Sequence, residues 1–175
     1  MSDMWNISNI LSLFRALLLI PLVFTLCYDL SSLTVLIGII AFISDFLDGY
    51  LARKFNHITE FGKIIDPVAD KLLVGGVALV LIIQGKLAVW IGIAILLRDI
   101  LILSGGLYAR KKLKFVIPSN YTGKITVDII GILLLGTILN ISYIMEYGKY
   151  AALIAMIVSL VVYGNNLIRK LGAGK

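Results

Sequence analysis

Residues 44–71 read SDFLDGYLARKFNHITEFGKIIDPVADK. The stretch is flanked by two of the most apolar runs in the chain, LTVLIGIIAFI at 33–43 and LLVGGVALVLII at 72–83. Carboxylates beside such runs are costly in hydrocarbon and are kept where they do chemistry. Their spacing is helical on both sides. Asp45, Asp48, Gly49, Ala52 and Arg53 fall at offsets 0, 3, 4, 7 and 8, one stripe of a helix. Gly62, Asp66 and Asp70 fall at offsets 0, 4 and 8, a second stripe. The polar link KFNHITEF between them predicts an antiparallel pair whose acidic stripes face each other.

Working outward, the other apolar segments have the same length. The 175-residue chain is 60% hydrophobic, and its apolar residues do not alternate with polar ones. They come in runs that cross a hydrocarbon core of about 30 Å as helices. The spacing predicts six spans, at about 9–28, 33–53, 62–84, 88–110, 121–143 and 149–168. Residues 1–8 are expected along the membrane surface. The fold class is therefore all-α, a polytopic membrane protein with six transmembrane helices in a single domain over 1–175. The first run has no basic residue before it, carries Arg15 inside it and lacks a small-residue cleavage site. It reads as a retained helix, with Pro21 as a potential kink.

Charge distribution sets an orientation. With both termini on one side, that side receives Arg53, Lys54, Lys63, Arg110, Lys111, Lys112, Lys114, Lys124, Arg169, Lys170 and Lys175. The other side receives Lys86 and Lys149. Such a bias places both termini, and the acidic stretch with them, in the cytoplasm of a cell whose plasma (inner) membrane holds the protein. The net charge of +6 follows from these juxtamembrane clusters, so no nucleic-acid partner is expected. The single cysteine, Cys27, excludes an internal disulfide, and the single histidine, His57, lies in the polar link.

Four carboxylates crowded in a low dielectric repel unless cations lie between them. Oxygen-only ligands without His or Cys favour a hard divalent ion, Mg²⁺ or Mn²⁺, with Ca²⁺ as a further candidate. Two such ions balance Asp45, Asp48, Asp66 and Asp70 and leave positions for phosphate. Gly49, Ala52 and Gly62 clear room for a large substrate, and Arg53 supplies a forked donor suited to phosphate. This is the layout of two-metal phosphoryl-group chemistry. Asp70, deepest in its stripe, is the candidate base. A divalent-cation channel would also use aspartates, but it would need polar groups across the full thickness, and LLVGGVALVLII supplies none.

The pattern Asp45-x₂-Asp48-Gly49-x₂-Ala52-Arg53-x₈-Gly62-x₃-Asp66-x₃-Asp70 resembles, at every position, the signature of the CDP-alcohol phosphotransferases. The resemblance implies transfer of a phosphatidyl group from CDP-diacylglycerol to an alcohol, with release of CMP. It also implies two ions held by the four aspartates, Asp70 doubling as base, and Gly49, Ala52, Arg53 and Gly62 around the cytidine diphosphate. Members are commonly homodimers, which the small-residue faces would permit, and Gly75, Gly76, Gly92, Gly105, Gly106, Gly131 and Gly136 are expected to serve close helix packing.

For the acceptor, NISNILSLFRALLLIPL and GYLARKFNHITEFGKIIDPVADKL are similar to bacterial phosphatidylglycerophosphate synthases, which use glycerol 3-phosphate. Arg98, Arg110, Lys111 and Lys124 are the residues expected to line a pocket for that anion. Arg98 has a second reading, as a neighbour for Asp99 or Asp128. Synthases of that type carry Arg-Glu and a later arginine where this chain has Arg98-Asp99 and Gly106. RDILILSGGLYARKK and IPSNYTGKIT look more like the family's cardiolipin synthases, whose acceptor is phosphatidylglycerol. Both acceptors stay open at this point.

Overall fold

The structure is a computed structural model that describes residues 7–55, 62–113 and 121–173, with some side chains inside those ranges excepted. Six helices follow in order: α1 (Ile7–Cys27), α2 (Ser31–Phe55), α3 (Gly62–Ile83), α4 (Val89–Leu113), α5 (Tyr121–Ile138) and α6 (Ser142–Ala173). Among the described residues, three helices contain stretches long and apolar enough to cross a membrane, Val89–Gly106, Tyr121–Ile138 and Ser142–Arg169. Leu13–Cys27 and Ser31–Ser44 are shorter apolar stretches. Ile20, Phe24, Phe42, Ile83, Ile100 and Ile154 all lie exposed. Water would penalise such a surface, whereas lipid tails do not. The expected surface segment 1–8 falls almost wholly outside the described residues.

The chain forms two compact units, Met1–Gly85 and Lys86–Lys175. In the first, α1 packs against both α2 and α3. Thr34 Oγ1 lies 3.0 Å from Thr25 Oγ1, and Ser44 Oγ donates to the Leu11 carbonyl at 3.5 Å. Those two pairs run α2 antiparallel to α1. Arg15 is ion-paired with Asp70, and Gln84 Nε2 donates to the Leu26 carbonyl at 2.6 Å, so α3 runs parallel to α1. The Gln84 bond adds a second donor to the Leu26 carbonyl, which also accepts from Asp29 N–H at the end of α1. The second and third helices are thus opposed in direction, as the polar link predicts. Among the described residues, however, their substantial packing runs through α1. The first helix was read from sequence only as a span, and it proves to be the axis of the unit. It continues through Pro21.

In the second unit α6 plays that central part, packing against α4 and α5. Thr126 Oγ1 reaches the Ala155 carbonyl at 3.0 Å across an antiparallel α5–α6 hairpin. Trp90 lies 6.3 Å from Tyr150 at the paired starts of α4 and α6, with Tyr143 and Tyr147 nearby in sequence. Lys149 Nζ stands 5.2 Å over the Tyr150 ring. Aromatic side chains of this kind collect at a membrane–water boundary.

Three helix ends are set by left-handed residues. Asp29 has φ 57°, with Asp29 N–H to Leu26 O at 3.1 Å and Leu30 N–H to Thr25 O at 2.9 Å. Asn140 has φ 55°, with Asn140 N–H to Thr137 O at 3.2 Å and Ile141 N–H to Gly136 O at 2.8 Å. Both are Schellman motifs. Gly85, at φ 70°, ends α3. The Asn140 motif corrects the sequence reading of the fifth span. Hydropathy carries that run to residue 143, but asparagine in the left-handed region stops α5 at Ile138 and lets α6 start at Ser142.

The hairpin closes on Gly136, where an added Cβ would meet Ile144 Cβ at 2.7 Å. That atom is fixed to the backbone, so the helices would have to part. At Gly76 the nearest atoms belong to the end of the Leu19 side chain, which can turn away. Gly136→Ala is therefore expected to lower stability by about 2–3 kcal/mol and Gly76→Ala by less than about 1 kcal/mol. Thermal unfolding in detergent ranks the two, and the reverse order would contradict the packing described.

Candidate active site

Register along α1 locates the acidic positions. Ser44 is level with Leu11, and Asp70 is level with Arg15. Asp45 and Asp48 follow Ser44 on α2, and Asp66 precedes Asp70 by one turn on α3. At about 1.5 Å of rise per residue, all four backbone positions lie near the N-terminal end of α1. The opposite end of the unit holds the turns at Asp29 and Gly85. The fold thus brings the backbone positions of the four aspartates to one level. The side chains of Asp45, Asp48, Gly49, Ala52, Arg53, Gly62 and Asp66 lie outside those described, and so does their facing geometry.

Asp70 is described, and its surroundings hold the main addition to the sequence reading. Its Oδ1 accepts a hydrogen bond from Arg15 Nη1. The Arg15 side chain is 3% exposed and the Asp70 side chain 47%. One partner is locked in the helix packing while the other stands at the edge of it. Sequence reasoning used Arg15 only to argue against a signal peptide. The signal that could have found it is the one that found the aspartates: a charge within an apolar run is expensive and asks for a partner.

The residues expected around an acceptor belong to the second unit. Arg98 is buried, and its guanidinium is largely occupied. Nη1 donates to Asp99 Oδ1 at 2.7 Å, and Nη2 to Ser159 Oγ at 3.2 Å and the Gly123 carbonyl at 3.4 Å. Of the two aspartates expected beside it, Asp99 is its neighbour, and its other bonds tie α4 to α5 and α6. Its Nε has no hydrogen-bond partner among the described residues. The Cβ that Gly123 lacks would lie 3.8 Å from Arg98 Nη2, an ordinary contact, so the place of the guanidinium does not require a glycine there. Lys124 and Asp128 are exposed on α5. The Arg110 and Lys111 side chains lie outside those described. Ser159 and Tyr163, one turn apart on α6, were not singled out from sequence. Serine and tyrosine in an apolar run gave no periodic signal there.

An ion-binding role for the acidic end is consistent with its chemistry. The donors are carboxylates only, and the one described is half-exposed beside a buried cation. Such a set suits hard divalent ions.

The model of one protein family, CDP-alcohol phosphatidyltransferase, matches residues 5–163. Several curated proteins are similar to this chain, each named CDP-diacylglycerol--glycerol-3-phosphate 3-phosphatidyltransferase. The Mycoplasma genitalium protein is 44% identical over 84 residues, 48% of this chain and 35% of that protein. The Rickettsia typhi protein is 46% identical over 83 residues, 45% of this chain and 46% of that protein. These matches span less than half the length of either relative. The Aquifex aeolicus protein is 36% identical over 162 residues, 90% of this chain and 89% of that protein.

Proposed function

Because the chain belongs to the CDP-alcohol phosphatidyltransferase family, we propose that it transfers the phosphatidyl group of CDP-diacylglycerol to glycerol 3-phosphate, giving phosphatidylglycerophosphate and CMP. The observation that carries this is the fixed-gap aspartate pattern on α2 and α3, gathered at one level of the first unit. The names of the similar proteins favour the acceptor. The family match runs across both units, which supports a single membrane domain.

Asp45, Asp48, Asp66 and Asp70 would hold two divalent ions, Mg²⁺ or Mn²⁺. Bound there, the ions would neutralise the diphosphate and stabilise the charge on departing CMP. Asp70 takes the proton of the acceptor hydroxyl. That oxygen forms a bond to the lipid-side phosphorus as the bond from phosphorus to the CMP oxygen breaks. Arg53 contacts the diphosphate, and Gly49, Ala52 and Gly62 leave space for the cytidine. Arg110, Lys111 and Lys124 supply the positive field for the acceptor phosphate, and Arg98 serves them by holding α4 and α5 together. In the cell, all six helices span the membrane, with both termini and the acidic end in the cytoplasm, and two copies form a homodimer.

A second reading, cardiolipin synthase with phosphatidylglycerol as acceptor, is favoured by Arg98-Asp99 and by Gly106, where Tyr163 Oη fills the space near the missing side chain. CMP release from CDP-diacylglycerol with Mg²⁺, measured separately with each acceptor, decides between them. Release with glycerol 3-phosphate is the expected result. Release with phosphatidylglycerol alone would transfer the assignment to the second reading, and none with either would remove both.

A further inference from the structure

We infer that Arg15 is a positioning residue of the site, fixing the Asp70 carboxylate and opposing the divalent charge that shares it. The inference rests on the reading of Asp70 as base and ion ligand. Arg15 rises from α1, the helix that carries none of the acidic pattern, and its guanidinium meets Asp70 Oδ1. The pairing is asymmetric, with a buried cation against a half-exposed carboxylate.

A staple for the fold does not need this arrangement. Leu19 against Gly76 and Gln84 on the Leu26 carbonyl already join α1 to α3. A buried ion pair is in any case weak evidence of stabilisation, because desolvation offsets its attraction. What the pair does achieve is orientation. A planar guanidinium in packed surroundings selects one rotamer of the carboxylate and so fixes the direction its oxygens present to an ion and to the acceptor hydroxyl. Misplacing a reacting group by about 1 Å costs roughly a hundredfold in rate. The same cation acts on affinity with the opposite sign. A single charge about 6 Å from a doubly charged ion weakens its binding by roughly tenfold even at the dielectric of water. Arg15 thus trades ion affinity for geometry.

The test compares wild type, Arg15→Met and Arg15→Lys for Mn²⁺ binding, followed by electron paramagnetic resonance, and for CMP release. Arg15→Met is expected to bind Mn²⁺ about tenfold more tightly. Its kcat should fall roughly a hundredfold while KM for CDP-diacylglycerol stays within about threefold. Arg15→Lys keeps the charge and loses the fork, so its Mn²⁺ affinity should match wild type while kcat stays about tenfold low. Unchanged or weaker Mn²⁺ binding by Arg15→Met, or wild-type turnover in it, overturns the inference. If Arg15→Met does not fold, Arg15→Lys decides alone: wild-type turnover overturns the inference, and reduced turnover at wild-type affinity supports it. Absence of CMP release by wild type would defeat the functional reading instead, and the Mn²⁺ comparison would still decide the role of Arg15.

Discussion

Asp70→Asn is expected to reduce CMP release by roughly a thousandfold while the helical content and the binding of CDP-diacylglycerol are retained. The amide copies the shape of the carboxylate, and its oxygen can still accept the bond from Arg15 Nη1 that joins α1 to α3. It loses the two properties the reaction needs, a negative charge toward divalent ions and an oxygen that takes up a proton. The Arg15 side chain is 3% exposed and would lose the negative charge of Asp70, so a moderate fall in thermal stability accompanies the change. Asp70→Ala removes the acceptor as well and should melt lower than Asp70→Asn. Circular dichroism, a ligand-induced melting shift and single-turnover CMP release separate these effects. Turnover within about tenfold of wild type would remove Asp70 from the role of base.

The ease with which the acidic end was found in sequence has a physical cause. Aspartates at helical spacing beside apolar runs are improbable without function, and the interleaved Gly49, Ala52 and Gly62 add a steric reason for the same pattern. The helices were legible for a related reason, since each apolar run must satisfy its backbone internally in lipid. Helix ends were less so. The fifth run is apolar through Ile141, and hydropathy carries no information on the left-handed turn at Asn140 that breaks it. Least legible was the partnership of helices. Composition shows that α2 and α3 are joined by a short link, but it does not say that α1 packs against both. Arg15 and Ser159 were missed on that account, because their meaning lies in contacts 55 and 61 residues away in sequence.

Arg98→Met is the change expected to cost the second unit most, about 3–5 kcal/mol. The Arg98 side chain is 6% exposed and that of Asp99 16%, so the pair lies in low dielectric on α4. Removing the guanidinium takes away the cation beside Asp99 and breaks the bonds to Ser159 Oγ and the Gly123 carbonyl. Three helices lose a shared contact at once. The charge, more than the packing, dominates the cost, and a second variant isolates it. Arg98→Met combined with Asp99→Leu deletes both charges at similar volume and should recover much of the lost stability, since a buried pair exchanged for apolar residues is often neutral. Thermal unfolding in detergent reads the difference, with the single variant melting about 10 °C below wild type and the double variant between them. If the double variant melts no higher than the single one, the cost lies in the bonds to Ser159 and Gly123, which both variants lack, and not in the charge left on Asp99. Arg98 would then hold the second unit together as a bonding hub more than as a charge.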